Sequence, residues 1–163
     1  MTIYHGSTLP IDNPVIDPLN VGRDFGPAFY TTTIQAQAER WAKRKCIIYK
    51  NHADILPVVS VYEFDIEKAK VDLNILEFTS ASMEWIELVI RCRKEPNFKH
   101  SYDVVIGQVA DDRVGTVVNL VTDGILSKEE ALPKIKFQHD NNQIAFCSTK
   151  ALQYLKFLRS YSI

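Results

Sequence analysis

The sequence predicts an α+β domain, and three observations carry that prediction. Short apolar segments at 58–64, 102–107 and 143–147 have strand-like patterning. Helical stripes lie between them without strict strand–helix–strand alternation, which separates this chain from a doubly wound parallel fold. With 163 residues, 46% of them hydrophobic, the chain builds one compact core, so residues 1–163 are read as a single domain.

Taken in order, residues 3–6 read as a short strand ending in His5-Gly6. Residues 7–27 form a long irregular loop punctuated by Pro10, Pro14, Pro18, Gly22, Gly26 and Pro27. Loops of that length inside a compact domain tend to carry function, and this one is bracketed by two aromatic strands, so it is read as a binding loop. The strand at 28–32 leads into a helix beginning near Thr33, with Ala36, Ala38, Trp41 and Ala42 as its small and apolar positions. Lys43-Arg44-Lys45 fall in its last turn, where cations complement the helix dipole.

Residues 58–64 alternate as a strand does after Pro57. A second helix covers about 81–93, capped by Ser80 or Ser82, with Trp85, Ile86, Val89 and Ile90 on one face and Arg91, Arg93 and Lys94 closing it. Residues 102–107 form a buried-strand candidate ending in glycine. Two short helices follow at 114–123 and 127–133, the second with a Ser127–Glu130 capping box and a stop at Pro133. A strand at 143–147 runs through Ser148, an N-cap, into a final helix on which Ala151, Leu152, Leu155 and Leu158 share a face.

Charged residues make up 24% of the chain, which places it with ordered soluble proteins, and the net charge of −1 argues against a broadly basic nucleic-acid binder. No stretch is long enough for a membrane span and no secretory leader is visible, so the expected location is the cytoplasm. Cys46, Cys92 and Cys147 are widely spaced and read as free, buried or half-buried thiols. His52, His100 and His139 do not stand at ligand spacings from them, so no metal site is expected.

Three polar positions remain. Tyr4-His5-Gly6-Ser7 ends the first strand; Asp24-Phe25-Gly26-Pro27-Ala28-Phe29-Tyr30-Thr31-Thr32 is a glycine turn leading into the second; Gln143-Ile144-Ala145-Phe146 opens a later one. Singly, a histidine beside glycine reads as a satisfied core histidine, and Tyr30 as a core aromatic with a hydroxyl partner. In this order, with helices after Tyr30 and after Cys147, they resemble the ADP-ribosyltransferase superfamily, in its branch marked by His, Tyr and then Glu, Asp or Gln (diphtheria-toxin-like and poly(ADP-ribose)-polymerase-like). More closely, Glu84-Trp85 and Val89 are similar to a pattern in a group of small bacterial members. The resemblance spans nearly the whole chain on about a dozen diagnostic positions.

That resemblance implies a split β-sheet core with flanking helices, NAD⁺ as co-substrate, and His5, Tyr30 and Gln143 as catalytic residues. His5, Gly6, Ser7, Arg23, Phe25, Gly26 and Tyr30 would bind the dinucleotide. His5 would hydrogen-bond the adenosine-side ribose, Gly6 main chain the carboxamide, and Tyr30 would stack on the nicotinamide ring, as an aromatic face suits a cationic heterocycle. Gln143 would hold a hydroxyl of the transferred ribose. A guanidinium suits phosphate oxygens, so Arg23 is a candidate for the pyrophosphate beside the reading as a surface arginine. Gln143 cannot take a proton, so Asp24, Glu63 and Asp140 are candidates for activating the acceptor. Gln143→Glu is expected to leave folding intact and raise nicotinamide release. Ala28 stands where the family usually has Gly, so its methyl would narrow backbone approach to the ligand.

The implied activity is mono-ADP-ribosylation of a macromolecular acceptor, protein ahead of nucleic acid. The setting would be a toxin or phage-defence effector, with a cognate antitoxin or immunity partner among its contacts. The alternatives are a weak or inactive NAD⁺- or ADP-ribose-binding module, and a structural or partner-binding domain in which His5 and Tyr30 are core residues.

Overall fold

A computed structural model describes residues 1–19, 21–49, 55–95, 97–110, 112–135 and 140–163, except for the side chains of Asp112 and Arg113. The chain is a mixed α+β structure built on two sheets. In the first, β3 (Val58–Phe64) lies between β1 (Thr2–Ser7) and β7 (Leu155–Ser162), antiparallel to both. As the central strand, β3 exposes only Glu63. The second sheet has the order β2 (Phe29–Thr31), β6 (Gln143–Phe146), β5 (Val104–Gly107), β4 (Ile75–Glu77), with only β4 and β5 parallel. The sheets meet at one bridge, where Tyr4 N–H donates to Thr32 O at 2.8 Å and Thr32 N–H to Tyr4 O at 2.9 Å.

Register sorts the side chains of the second sheet onto two faces, because cross-strand partners share a face and neighbours in sequence do not. Val105 and Ala145 pack with Phe25 and Ala28 under Trp85 and Val89 of α3 (Met83–Lys94), whose first turn is capped by Ser82. On the other face, Phe29, Val104, Ile144 and Phe146 meet Ile3, Tyr62 and Phe64 of the first sheet. There Phe64 and Phe146 stand edge-to-face at 5.0 Å.

On the outer side of β1, α1 (Gln35–Ile48) buries Ala38 and Ala42 against Gly6. A Cβ on Gly6 would lie 2.2 Å from Ala38 O and 2.9 Å from Ala42 N, so helix and strand reach this distance only over glycine. The remaining helices are short: α2 (Ile66–Asp72) capped by Asp65, α4 (Asp112–Thr122), α5 (Lys128–Ala131) with the expected Ser127–Glu130 box, and α6 (Thr149–Leu152) capped by Ser148. No helix among the described residues is long and apolar enough to cross a membrane.

Several expectations differ from what forms. The final helix stops at Leu152; Leu155 and Leu158 belong to β7, where Leu158 is exposed and Phe157 meets Tyr62 edge-on at 5.8 Å. Pairing along seven residues of β3 wins over the helical spacing of four leucine and alanine positions. Trp41 is 38% exposed beneath the Arg44 guanidinium rather than facing the core, and of the basic triplet only Lys45 lies in the last turn of α1. Neither α2 nor β4 is foreseen from the sequence. All three cysteines are free and half-buried. His52 and His139 lie outside the described residues.

Candidate functional site

β1 and β2 run side by side for one bridge and then part. Antiparallel strands point the N–H and C=O of alternate residues to alternate sides, so Gly6 and Tyr30, two places from Tyr4 and Thr32, turn these groups toward each other's strand. A continuing ladder would join them. Instead His5 intervenes: its Nδ1–H donates to Tyr30 O at 2.6 Å, while its ring stacks on Phe29 with centroids 4.5 Å apart. The main chain of Gly6 makes no hydrogen bond to β2 among the described residues.

The carbonyl partner fixes the tautomer, since a carbonyl oxygen only accepts; Nε2 of His5 is therefore an acceptor. Burial, reinforced by the Lys45 charge and opposed by the bond to Tyr30, pushes the imidazole down to about 4. His5 is neutral at physiological pH. Lys45 is itself lowered, by burial and by the neighbouring charge of Arg23, and it has no carboxylate partner among the described residues.

Tyr30 leaves β2 on the face opposite Phe29 and His5. Its hydroxyl donates to Gly26 O at 2.7 Å and accepts from Phe25 N–H at 3.1 Å, and burial raises it well above the ordinary phenol range. The turn it ties needs Gly26, which sits at φ 76°. His100 Nε2 donates to Phe25 O at 3.1 Å and holds the same turn from another side. The phenol therefore shapes the loop that precedes its own strand.

Gln143 shares the face of Tyr30, through the Tyr30–Ala145 pairing, and is buried. Its Nε2 donates to Asp24 Oδ2 at 2.7 Å and to Gln108 O at 3.0 Å. Asp24 is 6% exposed and also accepts from Arg93 and from Ala110 N–H. The structure thus brings His5 to Tyr30 through main chain and sets Tyr30 and Gln143 on one face. It does not link the three side chains by any hydrogen bond among the described residues.

Other expected site residues fall unevenly. Ser7 is buried, its hydroxyl donating to Leu9 O. Arg23 is exposed. Phe25 is fully buried against Phe78, so its ring lines no surface, and both its main-chain groups are engaged by Tyr30 and His100. Ala28 is also buried, its methyl in the core under α3 rather than toward a ligand. Asp24 does not suit the role of base, because both carboxylate oxygens are engaged and one faces a guanidinium. Glu63 and Asp140 are exposed. Gln143→Glu would set a second carboxylate against Asp24, so the sequence-based expectation of undisturbed folding changes sign.

Sequence reasoning missed Arg93, Gln108, His100 and Lys45. Arg93 reads as an ordinary cation closing a helix, and nothing local ties it to Asp24, 69 residues away. Cys92 and Cys147 border the same turn and are pushed up by burial to about 12 each, so neither is a thiolate nucleophile at neutral pH. Among the described residues, no group of three or more His, Cys, Asp or Glu is placed to hold a metal ion.

The family model described as protein of unknown function (DUF3990) matches residues 1–157, nearly the full length. No curated protein and no solved structure matches the chain.

Proposed function

The chain belongs to the DUF3990 family, and we propose that it is an NAD⁺-dependent mono-ADP-ribosyltransferase acting on a macromolecular acceptor. The observation that carries this reading is the parting of β1 from β2. It leaves Gly6 main-chain groups directed at the gap, beside a neutral imidazole whose Nε2 is an acceptor. One edge of a carboxamide offers an N–H donor beside an oxygen acceptor, which is what an unpaired strand edge takes. A ribose hydroxyl suits Nε2 of His5. The Lys45 charge near His5, with the Arg23 charge near Lys45, suits a pyrophosphate. On this reading the two sheets correspond to the split core of the ADP-ribosyltransferase fold.

In the reaction the bond between ribose C1′ and the nicotinamide nitrogen breaks, and nicotinamide leaves with the bonding electron pair. The acceptor nucleophile bonds to C1′ and releases its proton to solvent. The oxocarbenium-like stage is reached by holding the nicotinamide and fixing the ribose, so the chain contributes orientation. General-base help is typically worth ~10²–10⁴-fold, and Asp24, the buried candidate for it, is already engaged at both carboxylate oxygens.

The engagement of Asp24 favours a second reading, a dinucleotide-binding module without transfer. Both are tested by incubating the protein with NAD⁺ labelled in the adenylate and a cell lysate, while following nicotinamide release. Label transfer lost in His5→Ala and Tyr30→Ala, with melting curves confirming that the variants fold, supports transfer. Saturable NAD⁺ binding with no release supports the module, and no binding sinks both.

A further inference from the structure

Asp24 stands where the loop before β2, the end of α3, the start of β6 and the segment before α4 meet. Its Oδ1 accepts from Arg93 Nε at 2.9 Å and Nη2 at 2.5 Å; its Oδ2 accepts from Ala110 N–H at 2.9 Å and Gln143 Nε2 at 2.7 Å. Arg93 Nη2 also donates to Ala110 O at 2.8 Å. Gln143 Nε2 therefore faces two acceptors, Asp24 Oδ2 and Gln108 O. A flipped amide would set oxygen against a carboxylate and a carbonyl, so the orientation is fixed. Its Oε1 accepts no hydrogen bond among the described residues. Beside it, Gln108, whose carbonyl Gln143 already contacts, carries a buried side-chain oxygen without a partner among the described residues. An unpartnered buried acceptor such as Gln108 Oε1 is uncommon in folded chains and asks for a donor from outside.

We infer that Asp24, clamped by Arg93, is a positioning residue that engages the nitrogen of Gln143 and presents its carbonyl oxygen to a hydroxyl donor, the diol of a ribose. The identity of the ligand rests on the function proposed above; the clamp itself does not. It also explains why residue 143 is Gln. A carboxylate there would confront Asp24 Oδ2 and Gln108 O together, so the acidic alternative at this place is incompatible with an acidic residue 24.

The test is a melting cycle joined to NAD⁺ titration. Gln143→Glu is expected to lower the melting temperature by roughly 5–10 °C at pH 7.5, as an uncompensated buried charge does in a domain of this size. In the Asp24→Asn background the same change should cost less than half as much. The loss should also shrink at pH 5, where one of two confronted carboxyls takes a proton. Arg93 is the cation facing the pair, and Tyr30 and Cys92, which also sense Asp24, stay protonated, so the pH effect reports the carboxyl pair. If Gln143→Glu does not fold at pH 7.5, the comparison at pH 5 supplies the same answer.

By calorimetry, Asp24→Asn should weaken NAD⁺ about 10-fold, the value of one hydrogen bond to a ligand. Combined with Gln143→Ala it should weaken binding no further than Gln143→Ala alone. Melting within 1 °C of wild type for Gln143→Glu at pH 7.5, or wild-type NAD⁺ affinity in folded Asp24→Asn, overturns the inference. A wild-type protein that binds no NAD⁺ defeats the proposed reaction, and the melting cycle then decides the clamp on its own.

Discussion

The two sides of β2 are built on opposite principles. Toward β1, hydrogen-bonding groups are left without their expected partners: the strands part after one bridge, and His5 engages the carbonyl that a longer ladder would use. Toward α3 and β6, polar side chains engage one another around Asp24, with Arg93, Ala110 and Gln143 in one network. The contrast teaches where each kind of residue earns its place. An open main-chain edge binds without polar side chains, while a buried amide becomes useful only when neighbours fix which of its ends is presented.

The largest effect should come beside the open side, from forcing α1 away from β1. Gly6→Ala drives a methyl into the backbone of α1, and Ala38 O at 2.2 Å leaves no room for it. A loss of at least about 4 kcal/mol is expected, much of a typical domain's ~5–15, measured by denaturant unfolding. A Gly6→Ala protein of wild-type stability would mean that α1 does not rest on β1 as described.

Breaking the closed side comes next. Arg93→Met leaves Asp24 buried without its guanidinium, at a cost of about 3–5 kcal/mol. Asp24→Asn/Arg93→Met should recover part of that, and a strictly additive cycle would sever the pair.

The third prediction concerns pH. His5 titrates near 4 in the folded chain against about 6.5 unfolded, so the unfolded state binds the extra proton in between. Stability is therefore full above about pH 6.5 and falls as pH drops toward 4, by up to about 3 kcal/mol. In His5→Asn, unfolding curves between pH 4 and 7 should lose that slope. If the slope persists unchanged, the imidazole is not buried between the strands.

The smallest effect should be at Trp41, exposed on α1 beneath Arg44. Trp41→Ala should change stability by less than about 0.5 kcal/mol. A larger loss would show that the ring covers the core, as its helical spacing suggests.

Much of this was legible in the chain itself. Strand β3 was read with its observed limits, because alternation after Pro57 is a local signal. Ser80 or Ser82, of which Ser82 is the cap, and the Ser127–Glu130 box marked their helices for the same reason: a cap acts within four residues. Residues 155–162 were misread because leucines spaced for a helix also suit a strand once β3 is alongside. Short elements such as α2 and β4 carry too few residues for a period to show. At the candidate site the sequence marked His5, Tyr30 and Gln143. It could not show that Phe25 and Ala28 face inward or that Arg93 reaches Asp24.

The sequence by itself determined where β3, the Ser127–Glu130 box and the glycine turn at Gly26 fall, since backbone period and positive φ are set by a few adjacent residues. Only the tertiary structure decided which groups of those elements are engaged. His5 meets Tyr30 across 25 residues and Gln143 meets Asp24 across 119. Hydrogen-bond partners at such separations follow from strand order and register, which no local pattern encodes.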